Sequence, residues 1–389
     1  MCISKYYLTN RTYRYKFFGY VLTQLKWYTM DTKYIETIKK ITTMKTTLKV
    51  AIPLFLSLAI VLVGCSEKRS DYTSIPLNLR KVARDSIPYS EFVDSITYVD
   101  LKTSDNCIIG TISNIRIADG QIVVLDDLSQ RVMLFDSIGS YIHDIGSRGL
   151  GAGEYIRAAQ IDVDKEAENI LILDHTGCAV LRYSYDNKFI GKDSVGYADD
   201  IVYLGNNTYL TANYNDASDN AGIYLASTSS GEIRKLEGCR NGLPTNKPWL
   251  FFYDDGIMSI MTRPYENRLM EWNGNNLTSV VDFIVEPSPT SWQIQEIGKD
   301  RMKATEYIDR VVFHNSRRWF FMYFWMDGEV RHIFWDKTGT NPEVVRYLKN
   351  DIDGVNGTGL PVCIDNSFVM VVSEENPEAN PRLQFLHLK

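Results

Sequence analysis

Cysteine is scarce in this chain, six in 389 residues, and no two of the six are spaced as a CxxC zinc or redox pair. Glycine and proline, at 25 and 12, are too few for a collagen-like or low-complexity chain. Only five histidines occur (His143, His175, His314, His332 and His387), and none belongs to an HExxH or other close metal-ligand spacing. A GxSxG nucleophile elbow and an EF-hand register are also missing; the acidic run Asp351-Ile-Asp353-Gly354 lacks the terminal Glu of such a loop. Basic residues are outnumbered, 42 Lys and Arg against 48 Asp and Glu, for a net charge of -6, so a nucleic-acid backbone is excluded as a partner. The longest apolar stretch, Val50 to Val63, holds about 14 residues, where a bilayer-spanning helix needs roughly 20. What remains is a composition 44% hydrophobic and 12% aromatic, enough for a sizeable core.

Charge is unevenly placed. Residues 1–43 are basic and tyrosine-rich with no clear periodicity, and they read as an extension of the reading frame upstream of the true start. Residues 44–64 read as a secretory signal: Lys45 and Lys49 precede the short apolar core, which ends in small residues. Leu62-Val63-Gly64-Cys65 then resembles the lipobox of bacterial lipoproteins, which implies lipidation of Cys65 as the mature N-terminus. Acyl chains contribute about 0.8 kcal/mol per buried methylene, so several of them anchor a protein durably. Residues 65–87 lack a sustained apolar face and are expected to form a flexible tether. Ser66 after the cysteine, by resemblance to the sorting rule of Gram-negative lipoproteins, implies the outer membrane, either periplasmic or surface-facing. Removing the two leading segments leaves residues 65–389 at -14.

From residue 88 to 389 the sequence is built of short β-branched and aromatic runs punctuated by turn residues. Four such runs fill about 112–145, and the pattern restarts near 158, 199, 248, 308 and 360, a spacing of 40 to 50 residues. This predicts an all-β, six-bladed β-propeller with four-stranded blades. The sixth unit holds three strands only; the run Ser95 to Lys102 is expected to supply its fourth and close the ring. Helical spacing of Trp292, Ile294, Ile297, Met302 and Ile308 predicts an insertion over 292–308.

Turns between first and second strands, and between third and fourth, are short. Those between second and third are often longer, and in an up-and-down blade they share a face with the blade-to-blade connections. Functional residues are expected on that loop face: Arg148, Glu154, Tyr155, Asp174, His175, Arg263, Tyr265 and Trp325. The most distinctive stretch there runs from Gly146 to Tyr155 (GSRGLGAGEY). It is no dinucleotide fingerprint, because a strand pattern and not a helix follows it. Either it contacts a ligand, or its glycines permit a tight junction that Glu154 caps through backbone N–H groups.

This element, with Ala152 in place of the usual proline, resembles the GxGxGPGEY stretch of six-bladed β-propeller lipoproteins of Bacteroidetes, relatives of NHL-type propellers. The likeness extends through Phe92 to Lys102, the run at Ile170, Asn350 to Gly354 and the closing NPRLQFLHLK. The function it implies is largely uncharacterised; with catalytic constellations sparse, the chain is read as a cell-envelope propeller acting as a binding or interaction scaffold for a glycan, peptide or envelope protein, with no cofactor. The alternative it implies is a metal-assisted lyase or lactone hydrolase, its ligands converging on the central channel. Asp-Ser-aliphatic triplets, with Ser86 nearest the tether, resemble the O-glycosylation sequon of such proteins. Cys107 and Cys363, near the proposed closure, are a conceivable disulfide pair.

Overall fold

The structure is a computed structural model describing residues 73–389, apart from 214–220, 239–249, 255–256, 262–266, 300–302, 304–305, 308, 340, 375 and 377. Residues 1–43, the signal segment 44–64 and Cys65 therefore lie outside the described residues, as do Arg263 and Tyr265. Among the described residues no helix is long and apolar enough to cross a membrane.

The described chain begins with two short strands, β1 (Thr73–Asn78) and β2 (Arg84–Pro88), a single helical turn α1 (Tyr89–Phe92), and strand β3 (Val93–Asp100). Six antiparallel blades follow. The first comprises β4 (Ile112–Ala118), β5 (Gln121–Asp126), β6 (Arg131–Phe135) and β7 (Tyr141–Asp144). In the second are β8 (Ala158–Asp164), β9 (Asn169–Asp174), β10 (Ala179–Ser184) and β11 (Phe189–Ser194); the third holds β12 (Asp200–Gly205), β13 (Thr208–Asn213), β14 (Gly222–Ser227) and β15 (Glu232–Gly238). Blade four is β16 (Leu250–Asp254), β17 (Ile257–Met261), β18 (Arg268–Trp272) and β19 (Leu277–Glu286). After helix α2 (Ser291–Lys299) comes blade five, with β20 (Asp309–Asn315), β21 (Trp319–Met326), β22 (Glu329–Asp336) and β23 (Glu343–Lys349). The sixth blade takes β24 (Thr358–Ile364), β25 (Ser367–Val372) and β26 (Arg382–Leu388) from the C-terminus and β3 from the N-terminus.

Sequence dictates these strands through their middle members. QIVVLD in β5 and NILILD in β9 are buried on both faces, because each blade is packed between two others. Two-residue turns with both residues at positive φ, such as Asp119-Gly120 and Asn206-Asn207, match the strand twist and join first strands to second. The ring closes where β26 pairs antiparallel with β3, from Arg382 opposite Asp100 to Leu388 opposite Val93. Asn380 locks this seam: its Oδ1 accepts from the Ile109 N–H at 2.7 Å, and its Nδ2 donates to the Cys107 carbonyl at 2.9 Å. Cys107 and Cys363 are both buried, and they are not joined by the disulfide that the sequence suggested.

The flexible tether expected over 65–87 is corrected for residues 73–87. There β1 pairs parallel with β19 and β2 parallel with β23, adding a fifth, outermost strand to blades four and five. Polar composition concealed a period-two pattern in which Leu77, Leu79 and Ile87 are buried. Pro76 and Pro88 fit because an edge strand has one side that needs no N–H donor. Of the insertion expected over 292–308, Ser291–Lys299 is helical, and 300–302, 304–305 and 308 lie outside the described residues.

Two differently built halves surround the axis. Blades four to six and the N-terminal segment share one aromatic core in which Phe92, fully buried, packs against Trp319, Phe321 and Phe334 at 5.5 to 6.2 Å. Their inner strands also meet directly, β16 bridging β24 in parallel at Tyr253–Val362 and Asp254–Cys363. Blades one to three bury smaller, mainly aliphatic clusters, one of them shared with blade six, and join their inner strands by side chains. Arg116 on β4 and Asp162 on β8 form a fully buried ion pair at 2.9 Å, and Arg116 also donates to Asn114 Oδ1. Asn114 donates to Gln160 Oε1, and Gln160 in turn to Asp200 Oδ1 on β12 at 2.7 Å. The second Asp162 oxygen accepts from the Tyr203 N–H at 2.6 Å.

Candidate functional site

The connection from blade one to blade two carries the glycine-rich element, and its geometry explains the motif. Gly149 N–H donates to the Tyr155 carbonyl and Tyr155 N–H to the Ser147 carbonyl, at 3.0 and 3.1 Å, folding the segment back on itself. Glu154 Oε2 accepts from Gly151 N–H at 2.7 Å, and a Cβ at Gly149 would lie 1.9 Å from that same oxygen. Gly153, at φ +78°, places its carbonyl to accept from the Tyr183 hydroxyl at 2.6 Å. Glu154 is thus the cap of its own loop.

Tyr155, expected as an exposed contact, is corrected: it is buried in the core between blades one and two. Burial pushes its hydroxyl up to about 12, with Asp144 adding to the rise and a backbone hydrogen bond from Val132 opposing it.

Asp174 ends β9 and is buried as well; its Oδ1 accepts from the Arg157 N–H at 3.1 Å. Asp126, ending β5, holds the same place in blade one. It accepts from the N–H groups of Gly110, Thr111 and Leu128 and from the Ser129 hydroxyl, at 2.6 to 3.1 Å. Burial alone would raise its pKa, yet these four bonds outweigh it and hold the carboxyl below its ordinary value. Both aspartates pin the entry to their own blade, a structural role.

His175 follows Asp174 onto the open face. Its Nε2 lies 2.9 Å from both the Tyr197 hydroxyl and Asp199 Oδ1, and its ring meets Tyr197 edge-on at 4.9 Å. The structure therefore joins the expected His175 to two residues that sequence reasoning passed over, both in the link between blades two and three. Trp325 sits at the end of β21, beside the turn between second and third strands of blade five, partly exposed and well removed in the chain from the first two blades.

Between blades one and two, where their loops meet, lies a cleft of about 370 Å³ lined by Asp127, Gln130, Arg148, Ile156, Arg157 and Thr176. Its volume falls in the range of small-ligand sites. Of the expected residues that are described, only Arg148 lines it. Asp127, Gln130 and Thr176 belong to the longer second-to-third loops that pattern reasoning placed on this face, whereas Arg157 had no local signal at all.

Exposed large apolar side chains occur on this same face as well as along the outer strands, where Ile142, Ile190, Ile233 and Tyr347 are exposed. Each described blade-to-blade connection offers one: Ile108, Leu150, Tyr197, Trp292 and Ile352. Leu150 is 88% exposed, and Leu128, in the neighbouring loop, 75%. Among described turns on the opposite face, Ile138 alone is comparable.

The metal-assisted alternative needs imidazoles and carboxylates converging on the channel. Among the described residues no group of three His, Cys, Asp or Glu side chains is placed to hold a metal ion, and Asp162 and Asp200 are bonded to their neighbours.

Fold and site together define a six-bladed β-propeller closed by an N-terminal strand, with its open chemistry on the loop face. Within that class the chain belongs to the DUF4934 family, a domain of unknown function whose model matches residues 73–384. No curated protein matches it. Among solved structures it is similar to a Bacteroides fragilis protein described as exported, at 16% identity and TM-score 0.64, covering 82% of this chain and 99% of that one. A DUF4221 family member from Bacteroides vulgatus matches at 8% identity and TM-score 0.48, over 76% of this chain and 97% of that one. A Bacteroides thetaiotaomicron protein of unknown function matches at 10% identity and TM-score 0.42, over 78% and 75%. At 16% identity the first likeness establishes a shared fold.

Proposed function

We propose that this protein is a lipid-anchored cell-envelope propeller that binds a partner through its loop face. The observation that carries the reading is the exposed large apolar side chain on each described blade-to-blade connection, together with an arginine-lined cleft between blades one and two. Exposed apolar groups on loops that also hold a cleft with charged lining suit a binding surface. The lipobox-like Cys65 and the exported B. fragilis neighbour support an envelope address, and Ser66 supports the outer membrane. Ser86, offered as a glycan acceptor, is half-buried in β2 opposite Tyr347, so any glycan there would sit on the outer edge of blade five, away from the loop face.

Two substitutions test the two parts. Cys65→Ala should move the protein from the membrane fraction to the soluble fraction after cell breakage; retention on the membrane would contradict the anchor. A Leu128→Glu and Leu150→Glu double variant should keep its melting temperature, because both side chains are solvated, and lose partner contacts detected by crosslinking. Unchanged crosslinks would contradict the loop-face reading.

A further inference from the structure

We infer that the cleft between blades one and two is a carboxylate-binding site that takes the free C-terminal end of a peptide whose last residues are aliphatic. The inference rests on the loop-face reading and names the ligand class for it. Arg148 and Arg157 line the cleft from the two ends of one connection, and among the described residues neither guanidinium has a carboxylate within ion-pair distance. This sets them apart from the arginines packed into the blades: Arg116, Arg131 and Arg182 are each paired with an aspartate at 2.6 to 2.9 Å. Two unpaired guanidiniums facing one cavity match a planar oxyanion, which they bind by short charge-assisted hydrogen bonds.

The remaining wall selects among anions. Residues 65–389 carry -14, so a polyanion such as an acidic polysaccharide would lay its further charges over an acidic surface. A ligand with a single carboxylate meets the two arginines and, beyond a Debye length of about 8 Å, little of the repulsion. Asp127, exposed at the same cleft, accepts from the Gln130 amide at 3.1 Å, and a carboxylate can accept a peptide N–H as well. Ile156 in the cleft, with Leu128 and Leu150 exposed in the same two loops, offers apolar surface for aliphatic side chains. Polar Gln130 and Thr176 complete a lining suited to a backbone.

The test uses the full chain and three probes: a fluorescently labelled pentapeptide ending in Leu-Leu with a free carboxylate, the same peptide as its C-terminal amide, and a short uronic-acid oligosaccharide. Anisotropy titration should show saturable binding of the free acid and about tenfold or weaker binding of the amide. Arg148→Gln and Arg157→Gln should each remove most of that difference while leaving the melting temperature in place, and Arg→Lys at either position should restore part of it. Leu150→Ser, which removes apolar surface without adding charge, should weaken acid and amide alike. Equal binding of acid and amide, no saturable binding of the acid up to about 5 mM, or preferential binding of the oligosaccharide would each overturn the inference. A partner crosslinked through Leu150 whose binding ignores Arg148→Gln and Arg157→Gln would overturn it too, while leaving the loop-face reading intact.

Discussion

The two halves of this ring solve the same closure problem with different materials. Blades four to six are joined by an aromatic core, by direct pairing of inner-strand backbones and by three N-terminal strands laid along their outer edges. Blades one to three rely on a polar ladder at the axis, Asn114, Arg116, Gln160, Asp162 and Asp200, and carry the arginine-lined cleft on their loop face. Stability is therefore concentrated where the chain ends meet. Blades one and two hold the described open chemistry.

Phe92→Ala strikes the seam hardest. Removing a fully buried ring that touches four other aromatics should destabilise the fold by about 4 kcal/mol, read as a drop in denaturant midpoint. A loss below about 1 kcal/mol would show that the aromatic half does not carry the closure. Asp162→Ala comes next, at about 3 kcal/mol, because it leaves the Arg116 guanidinium buried without its carboxylate. An Arg116→Met, Asp162→Leu double variant should recover most of that loss, and failure to recover would mean the ladder does more than neutralise itself.

Asp126→Asn should cost about 2 kcal/mol at neutral pH, and the loss is pH-dependent. Because folding depresses this carboxyl, its stabilisation is present above the unfolded value near pH 4 and fades as the pH falls through the folded value. Melting curves of wild type and variant should accordingly converge in acid, and a constant gap would contradict the assignment. The smallest effect belongs to Glu154→Ala, about 1 kcal/mol from the uncapped Gly151 N–H, with Glu154→Gln close to wild type. If Glu154→Ala instead abolished ligand binding while Glu154→Gln did not preserve it, the residue would be a contact and not a cap.

Much of the architecture was legible because propeller strands advertise themselves. QIVVLD and NILILD at repeat spacing give the blades, and SITYVDLK standing alone before a three-stranded unit gives the closure. The added strands β1 and β2 escaped because their buried residues, Leu77, Leu79 and Ile87, are diluted by charge, and parallel pairing at an edge leaves no hairpin turn to read. At the site, turn alternation located the loop face and singled out Arg148 and His175. It misjudged Tyr155, since a tyrosine after a glycine loop looks the same in sequence whether it turns outward or into the core. Arg157, Tyr197 and Asp199 gave no sign because only the ring, by setting adjacent blades side by side, brings them to the cleft and to His175.

The central claim is that one face binds and the other does not, and site-specific photocrosslinking in intact cells measures it directly. A photoreactive residue placed at Leu128, Leu150 or Ile108 should yield a discrete crosslinked species, and the same residue at Ile138 or Ala167 on the opposite face should yield none. Crosslinks of equal strength from both faces, or from Ile138 alone, would contradict the account.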